Sequence, residues 1–443
     1  MKITHLNNSF IVIEGSGTKL VCDPWTGISN YGTWHSLPIF EAKDVVGITA
    51  DTDYVYISHL HADHLDPDTL KFCDLLDARF VINKNNEPTL KRRLEMLGAS
   101  EVIECEPFTV IDLGELKIAT VPQMSQNTAG LDCDVDYDLD SSILASDGRA
   151  VFFNQVDNPL SVEDMRYIGE WSRTHFGQID LAALTCGAAS EYPQCFMNID
   201  RAAEKERVEK ASIDMLLKRL DALKPRNMCL GGGSYFIPGR NAPLNAYIAV
   251  PEAHAVKSIV KTAIPDICFY ELEGGAALTI DQVGVPPTQS QNLEPIYRDL
   301  NAALAVTCDI SYAQENVHID EIDEVIDRVL PLATMALQDR LAADKFRMKA
   351  QLRFALHERL TLDDAGNLIS EAERTIDLAL APENPDQSLV LHLDKVMFAQ
   401  LICGKMIWNL VVSGSQIMYE RSPNVFHPTD TAALNFFVHR EKR

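Results

Sequence analysis

Tyr54-Val55-Tyr56-Ile57-Ser58-His59-Leu60-His61-Ala62-Asp63-His64-Leu65-Asp66 is an apolar, β-prone run that leads straight into three imidazoles and two carboxylates. The strand supplies a rigid platform, and the polar groups begin where it ends. Two His at i and i+2 on the turn after a strand can converge on one ion, and Asp63 with His64 can serve a neighbouring one. A solvated His-rich turn is the bland alternative. The strand context and the HxHxDH spacing both argue for metal ligation.

Outward from this stretch, short β runs alternate with helical patterns. Ser9–Glu14 and Lys19–Cys22 read as an opening hairpin. Arg79–Ile82, Lys117–Val121, Ser141–Ala145, Val151–Asn154, Leu181–Thr185, Asn227–Leu230 and Ile267–Tyr270 read as further strands. Pro67–Leu76, Glu87–Leu97 (ended by Gly98), Ser161–Thr174 and Arg201–Leu223 carry helical patterns, with Ser161 as a capping residue. This order predicts a layered α/β sandwich. The Pro-, Gln- and Asn-rich segment Gly284–Pro295 reads as a boundary. It divides a domain at 1–290 from an appendage at 291–443. In the appendage Ile319–Leu356 reads as helix-rich, and Thr375–Leu380 and Ser388–Leu393 as half-buried strands, an α+β pattern.

The chain has 443 residues, with 39 Lys+Arg against 64 Asp+Glu and a formal charge of −25. That balance disfavours nucleic acid and anionic membrane surfaces as partners, since both need clustered cations. There is no basic-then-apolar start and no apolar run of about 18 residues, so neither a signal peptide nor a membrane span is expected. The ten cysteines are scattered without CxxC or CxH spacing, which suits reduced, cytoplasmic thiols buried as small apolar groups. No nucleophile elbow, Rossmann glycine fingerprint, zinc ribbon or Rieske pairing of Cys and His occurs.

His59-Leu-His61-Ala-Asp63-His64 resembles the signature of the metallo-β-lactamase superfamily. The resemblance implies an αββα sandwich with metal at one edge of its two sheets. Four further stretches are similar, in the same order, to the catalytic region of CMP-N-acetylneuraminate hydroxylases and their bacterial relatives. They are Cys22-Asp-Pro-Trp25-Thr-Gly27 with Trp34 and Pro38; Ser141-Ser-Ile-Leu with Val151-Phe-Phe-Asn-Gln-Val-Asp157; Cys186-Gly-Ala-Ala-Ser190-Glu-Tyr-Pro193; and Leu223-Lys-Pro225-Arg with Gly231-Gly-Gly-Ser-Tyr235-Phe. The likeness covers residues 1–290 and reaches the tail only faintly, through Ile402-Cys-Gly404, Trp408 and Arg421-Ser-Pro423-Asn. The tail also faintly resembles sterol-carrier-like domains, although a packing or dimerisation role suits it better.

Two His ligands that the superfamily usually supplies are missing. No His lies between His64 and His175, where Leu131-Asp-Cys-Asp-Val-Asp-Tyr-Asp-Leu-Asp140 places a carboxylate at every second position instead. Alignment on the hydroxylase pattern favours Asp136 as the replacement; a solvated acidic loop is the other reading. Asp157, after an apolar strand, matches the residue that bridges two metals in the superfamily. The last superfamily His falls near Gly231–Phe236, which contains none, and His254 is either its substitute or a surface residue. The expected ligand set is therefore His59, His61, Asp63, His64, Asp136 and Asp157. Two His plus a carboxylate with open positions is a set that non-haem iron uses, and oxygen-richer sites move preference from zinc toward iron or manganese.

Asp23 is either an acceptor for a ligand His or a turn cap. Trp25, Trp34 and His35 form an aromatic cluster that is either a pocket wall or a satellite core. Tyr235 and Arg240 flank the Gly-rich loop and complete the expected substrate-binding group.

Two enzyme classes remain open. One is a hydroxylase-like oxygenase with mono- or dinuclear iron. It would act on a small, nucleotide-sugar-like substrate and take electrons from a separate Rieske- or ferredoxin-type donor. The other is a hydrolase of an ester, lactone or phosphoester, with zinc or manganese acidifying a water and Asp63 orienting it or taking a proton. A binding module that merely kept the fold is a third reading, which the intact HxHxDH disfavours. A homodimer is compatible with either enzyme.

Overall fold

The computed structural model describes residues 1–85, 88–124, 139–187, 189–281, 285–307 and 321–439. Two large sheets pack face to face. The first has eight strands in the order 288–291, 276–279, 2–5, 11–15, 18–22, 54–56, 79–83, 101–105; the second has seven, in the order 268–269, 227–230, 181–184, 151–154, 141–146, 117–122, 111–112. Period-2 alternation builds three apolar layers from these strands. Ile11, Ile13, Leu20, Tyr54, Tyr56 and Val81 meet Ile143, Phe152, Leu181 and Ala183 between the sheets. The opposite faces, Phe10, Val12, Val21, Val55 and Phe80, pack on Val45, Leu70, Leu90 and Leu94 of helices Ala42–Thr49, Pro67–Phe72 and Thr89–Leu97. On the far side Leu144, Phe153, Ala182 and Leu184 pack on helices Val162–His175, Arg201–Leu223 and Ala253–Ala263. The layers therefore run helix, sheet, sheet, helix.

Local chemistry explains the element ends. Ser161 accepts a hydrogen bond from the Asp164 amide while the Asp164 carboxylate accepts from the Ser161 amide, a reciprocal cap. Gly98 closes helix Thr89–Leu97 with a left-handed φ of 98°. Thr288–Gln291, inside the segment read as a boundary, pairs with Ala276–Thr279 as the first sheet's edge strand. Its side chains are exposed, so its hydrogen bonds and not its pattern place it there.

The tail centres on a four-stranded sheet ordered 374–377, 351–357, 388–394, 418–422. Within the stretch expected to be helix-rich, helix Ile322–Ala343 forms, but Gln351–His357 is a strand. Leu352 and Leu356 satisfy a helical i, i+4 spacing and, with Phe354, a strand spacing equally well. Pairing with Ser388–Asp394 along its whole length selects the strand. The tail is not a separate lobe. One apolar cluster joins Phe354, Phe398, Trp408 and Tyr419 to Trp25, Trp34, Phe196 and Tyr235. Six cysteines, Cys22, Cys73, Cys105, Cys186, Cys195 and Cys229, are free and buried, as expected of small apolar residues.

His5 ends the strand Lys2–His5 with its ring buried, Nε2–H donating to the Asn8 carbonyl at 2.7 Å. Burial, only partly offset by the Asn8 and Asn7 carbonyls, pushes its pKa from 6.5 down to about 4. The folded value lies below the unfolded one. The stability linked to this ring is therefore intact above about pH 6.5 and drains as pH falls toward 4, by on the order of 3 kcal/mol. A His5→Gln variant should lose that share of the acid sensitivity. The check is a smaller drop in urea midpoint between pH 7 and pH 4 than the parent shows.

Candidate metal centre

The strand Tyr54–Tyr56 ends beside Thr18–Cys22, and both chains turn there. Asp23, with a left-handed φ of 41°, is fully buried at this turn. Its Oδ1 accepts the Ser58 amide at 2.8 Å, and its Oδ2 accepts the Ser58 hydroxyl at 2.7 Å and His64 Nδ1–H at 3.0 Å. Burial pushes the Asp23 carboxyl up, against the hydrogen bond and charge of His64 and the bonds from Ser58. His59 Nδ1–H in turn reaches Ser58 Oγ at 2.9 Å. One carboxylate thus orients two ligand imidazoles, directly or through one hydroxyl, and leaves the Nε2 atom of each aimed inward. Of the two readings open for Asp23, the geometry is that of an acceptor for His64, one of the expected ligands.

The inward atoms form two groups. His59, His61 and Asp140 bring one ligand atom each within 4.8 Å of the others, and so do His59, His64 and Asp157. His59 Nε2 lies 2.8 Å from His61 Nδ1 and 3.5 Å from Asp140 Oδ1. His64 Nε2 lies 3.2 Å from Asp157 Oδ2 and 3.3 Å from Asp63 Oδ2. Five of the six expected ligands therefore converge. Asp136 lies outside the described residues, as do the other members of the acidic run before Asp140, which stands in the site. Ser141 next to it pins the position: its Oγ donates to the Ser58 carbonyl at 2.8 Å and meets the Tyr56 hydroxyl at 2.7 Å. His254 is on an exposed helix face beside Glu252 and in neither group.

Charge is divided unevenly over the cluster. Burial, then the charges of His64 and His61, hold His59 well below its usual pKa, so it presents a lone pair. Burial opposes a charge on His64 as well, but Asp63, Asp157 and Asp23 outweigh it and raise His64 well above the ordinary value. Burial also opposes a charge on Asp63, but the His64 charge and hydrogen bond and the His61 charge pull its pKa down to about 2.

Asn8, which carries no motif, ties the centre to the Gly-rich loop. Its Nδ2 donates to Asp63 Oδ2 at 3.0 Å, its Oδ1 accepts the Gly233 amide at 2.8 Å, and its carbonyl accepts the Gly232 amide at 2.9 Å. Gly232 has φ of +86°, and a Cβ there would stand 3.0 Å from Thr185 Cγ2 and 3.3 Å from Asp157 Oδ1. The glycine is required both by its conformation and by its approach to a ligand carboxylate.

The residues expected to bind substrate divide. Trp34 stacks on Tyr235 with ring centroids 4.1 Å apart, and His35 on Phe236 at 5.1 Å, in a small sheet formed by 28–29, 34–36 and 235–236. Trp25 is wholly buried in the cluster shared with the tail. Arg240 is ion-paired with Asp394 at 2.6 Å, which links the loop after the Gly-rich turn to the tail's sheet.

The helix, sheet, sheet, helix layers are those of the metallo-β-lactamase fold, and the His and Asp groups at their edge could hold a metal ion. Residues 2–138 match the family model of the beta-lactamase superfamily domain. A Mycolicibacterium smegmatis protein named for a Rieske 2Fe-2S iron-sulfur centre is 27% identical over 228 residues, 48% of this chain and 40% of that protein. A Mycobacterium tuberculosis protein of the same designation is 24% identical over 220 residues, with the same coverage. The chain thus matches less than half the length of these curated relatives. Among solved structures, CmlA, a diiron beta-hydroxylase from Streptomyces venezuelae, superimposes with a TM-score of 0.40 at 15% identity, over 61% of this chain and 53% of that one. Igni18, a metallo hydrolase from Ignicoccus hospitalis, gives 0.44 at 18% identity, over 65% and 97%.

Asn8→Ala should leave the Gly233 amide without its acceptor and take one of two donors from Asp63 Oδ2, at a cost of about 2 kcal/mol in chemical denaturation. Asn8→Asp, which sets a second carboxylate against Asp63, should be at least as damaging.

Proposed function

We propose that this chain is an iron-dependent, hydroxylase-like oxygenase that acts on a small substrate and draws electrons from a separate protein. The observation that carries the reading is the donor set. His59 and His61 are joined by one carboxylate, Asp140, and His64 by two, Asp63 and Asp157. Imidazole paired with carboxylate, and no third imidazole in either group among the described residues, suits iron better than a His-rich zinc site. These residues would hold one ion or two, and iron bound there supplies redox chemistry toward dioxygen. Hydroxylation inserts one oxygen atom of O2 into a C–H bond and reduces the other to water, which takes two electrons and two protons from outside. The chain has no Cys/His spacing for an iron-sulfur cluster of its own. The Rieske designation of its relatives supports a partner of that class.

Each side chain then has a task. Asp23 and Ser58 hold His59 and His64 in the tautomers that offer Nε2 to an ion. Asp63, ionised well below neutral pH, suits a ligand or an anionic anchor better than a general base, whose pKa should sit near the working pH. Trp25 Nε1, Trp34 Nε1 and Tyr235 Oη are buried donors with no partner among the described residues, as befits groups that meet water or substrate. We place the substrate against Trp34 and Tyr235. His35 and Trp25 line the wall behind them, and Arg240, committed to Asp394, braces the loop. A nucleotide-sugar-like substrate rests on the sequence resemblance alone.

A hydrolase is the second reading, since the same ions could polarise an ester, lactone or phosphoester. Metal analysis of protein purified without oxygen, with absorption spectra before and after O2, separates the two. One or two irons per chain and a spectrum that changes with O2 are expected, and the double variant His59→Ala/His61→Ala should lose iron and turnover. Stoichiometric zinc that restores reductant-independent hydrolysis to the stripped protein would overturn the oxygenase.

A further inference from the structure

His61 differs from the other two ligand imidazoles in what lies behind it. Asp23 and Ser58 steady His59 and His64 from within the same turn, but neither reaches His61. Its Nδ1 faces His59 Nε2 at 2.8 Å, with the two rings edge-on at 81°. Its Nε2, on the opposite edge of the ring, lies 3.0 Å from the side-chain nitrogen Nδ2 of Asn409, a residue of the tail.

Asn409 is itself held. It is the second residue of helix Trp408–Ser413, its amide N–H donates to Asn435 Oδ1 at 3.1 Å, and its carbonyl accepts Ser413 Oγ at 2.9 Å. The helix is fixed to the loop that follows Trp25. Ser413 Oγ accepts Asn30 Nδ2 at 3.3 Å, the Ile407 amide donates to the Tyr31 hydroxyl at 3.0 Å, and Gln416 Nε2 donates to Thr33 Oγ1 at 3.1 Å. Trp408 Nε1, buried, donates to the Phe437 carbonyl at 3.0 Å and fixes the other side of the helix. At Gly414 a Cβ would come within 2.8 Å of Thr33 Oγ1 and 3.1 Å of Asn30 Cβ, so the glycine lets these side chains close on the end of the helix.

From this geometry we infer that Asn409 is a positioning residue of the metal centre: the tail supplies the group that orients His61. The inference rests on the reading of His59 and His61 as metal ligands. An imidazole that gives Nδ1 to an ion must carry its proton on Nε2, and that proton needs an acceptor. The Asn409 amide is at hydrogen-bond distance from Nε2. An amide interchanges oxygen and nitrogen by a half-turn about its terminal bond, so it can present the oxygen to Nε2–H. Bonded so, His61 keeps the tautomer and ring angle in which Nδ1 points at His59 and Asp140. Asn409 touches neither ion nor substrate and acts only through His61.

The test is metal binding by the full-length protein, read by anaerobic Fe(II) titration against a competing chelator and by the visible spectrum of the Co(II)-loaded form. The variants are Asn409→Ala, Asn409→Leu, Asn409→Asp and, as control, His61→Ala. Asn409→Ala and Asn409→Leu should weaken the ion that His61 binds about 10- to 100-fold, with an altered Co(II) spectrum. Asn409→Asp keeps an acceptor for Nε2–H and should restore affinity to within a few-fold of the parent. Parental affinity and spectrum in all three Asn409 variants would overturn the inference. So would an affinity loss as large in Asn409→Asp as in Asn409→Ala that follows melting temperature, because that pattern marks a helix merely loosened. Should His61→Ala bind metal like the parent, the metal-centre reading itself falls and the inference falls with it, an outcome distinguished by one shared titration curve for every variant.

Discussion

The buried Asp23 carboxylate is the constraint on which the rest of the site depends. It sits where two parallel strands end, in a backbone conformation that few non-glycine residues adopt. It accepts three hydrogen bonds, and each does structural as well as chemical work. The Ser58 amide bond sets the path of the chain out of the strand. The Ser58 hydroxyl passes the orientation on to His59, and the His64 bond turns that ring toward Asp63 and Asp157. Without this acceptor His59 and His64 would have no common direction. The β-sandwich is in this sense a frame whose function is to bring Asp23 and Ser58 to one point.

What was legible in the sequence was whatever lay close along the chain. His59, His61, Asp63 and His64 could be read because one turn holds them, so that spacing in sequence is spacing in space. The layers were legible because the apolar runs in Ile11–Gly15, Tyr54–Tyr56 and Val151–Asn154 have a direct counterpart in burial, nearly every residue of each being covered on one face or the other. The acidic run was only half legible. Alternating carboxylates are equivalent as a pattern, and what distinguishes Asp140 is the neighbour Ser141, whose hydroxyl reaches Ser58 across the sheets. Thr288–Gln291 was illegible because its pairing is wholly backbone, with nothing apolar to reveal it. Asn8 and Asn409 were illegible for a different reason. Each is an ordinary polar residue whose role is set by partners from distant parts of the chain.

The tail is more closely tied to the sandwich than its composition suggests. Its largest apolar cluster takes Trp25 from a loop and Trp34 and Tyr235 from the small sheet of the first part, and Arg240 and Asp394 pair across the same junction. Residues that the sequence offered as a pocket wall or as core therefore stand in that shared cluster. Trp34 and Tyr235 stack on one another with one polar atom each left without a partner among the described residues, while the bodies of the rings contribute to the shared core.

The hydrogen bond between His61 and Asn409 joins residues 348 apart, and the strand Lys2–His5 finds its outer neighbour only at Ala276–Thr279. Contacts of such range close late, after the loop entropy of the intervening chain has been overcome. A ribosome that has just released the HxHxDH turn has therefore made a cluster of donors with no fixed geometry. The order of synthesis separates the appearance of the ligands from their arrangement by most of the polypeptide. An ion held by this cluster would consequently be held by the folded protein and not by the nascent one.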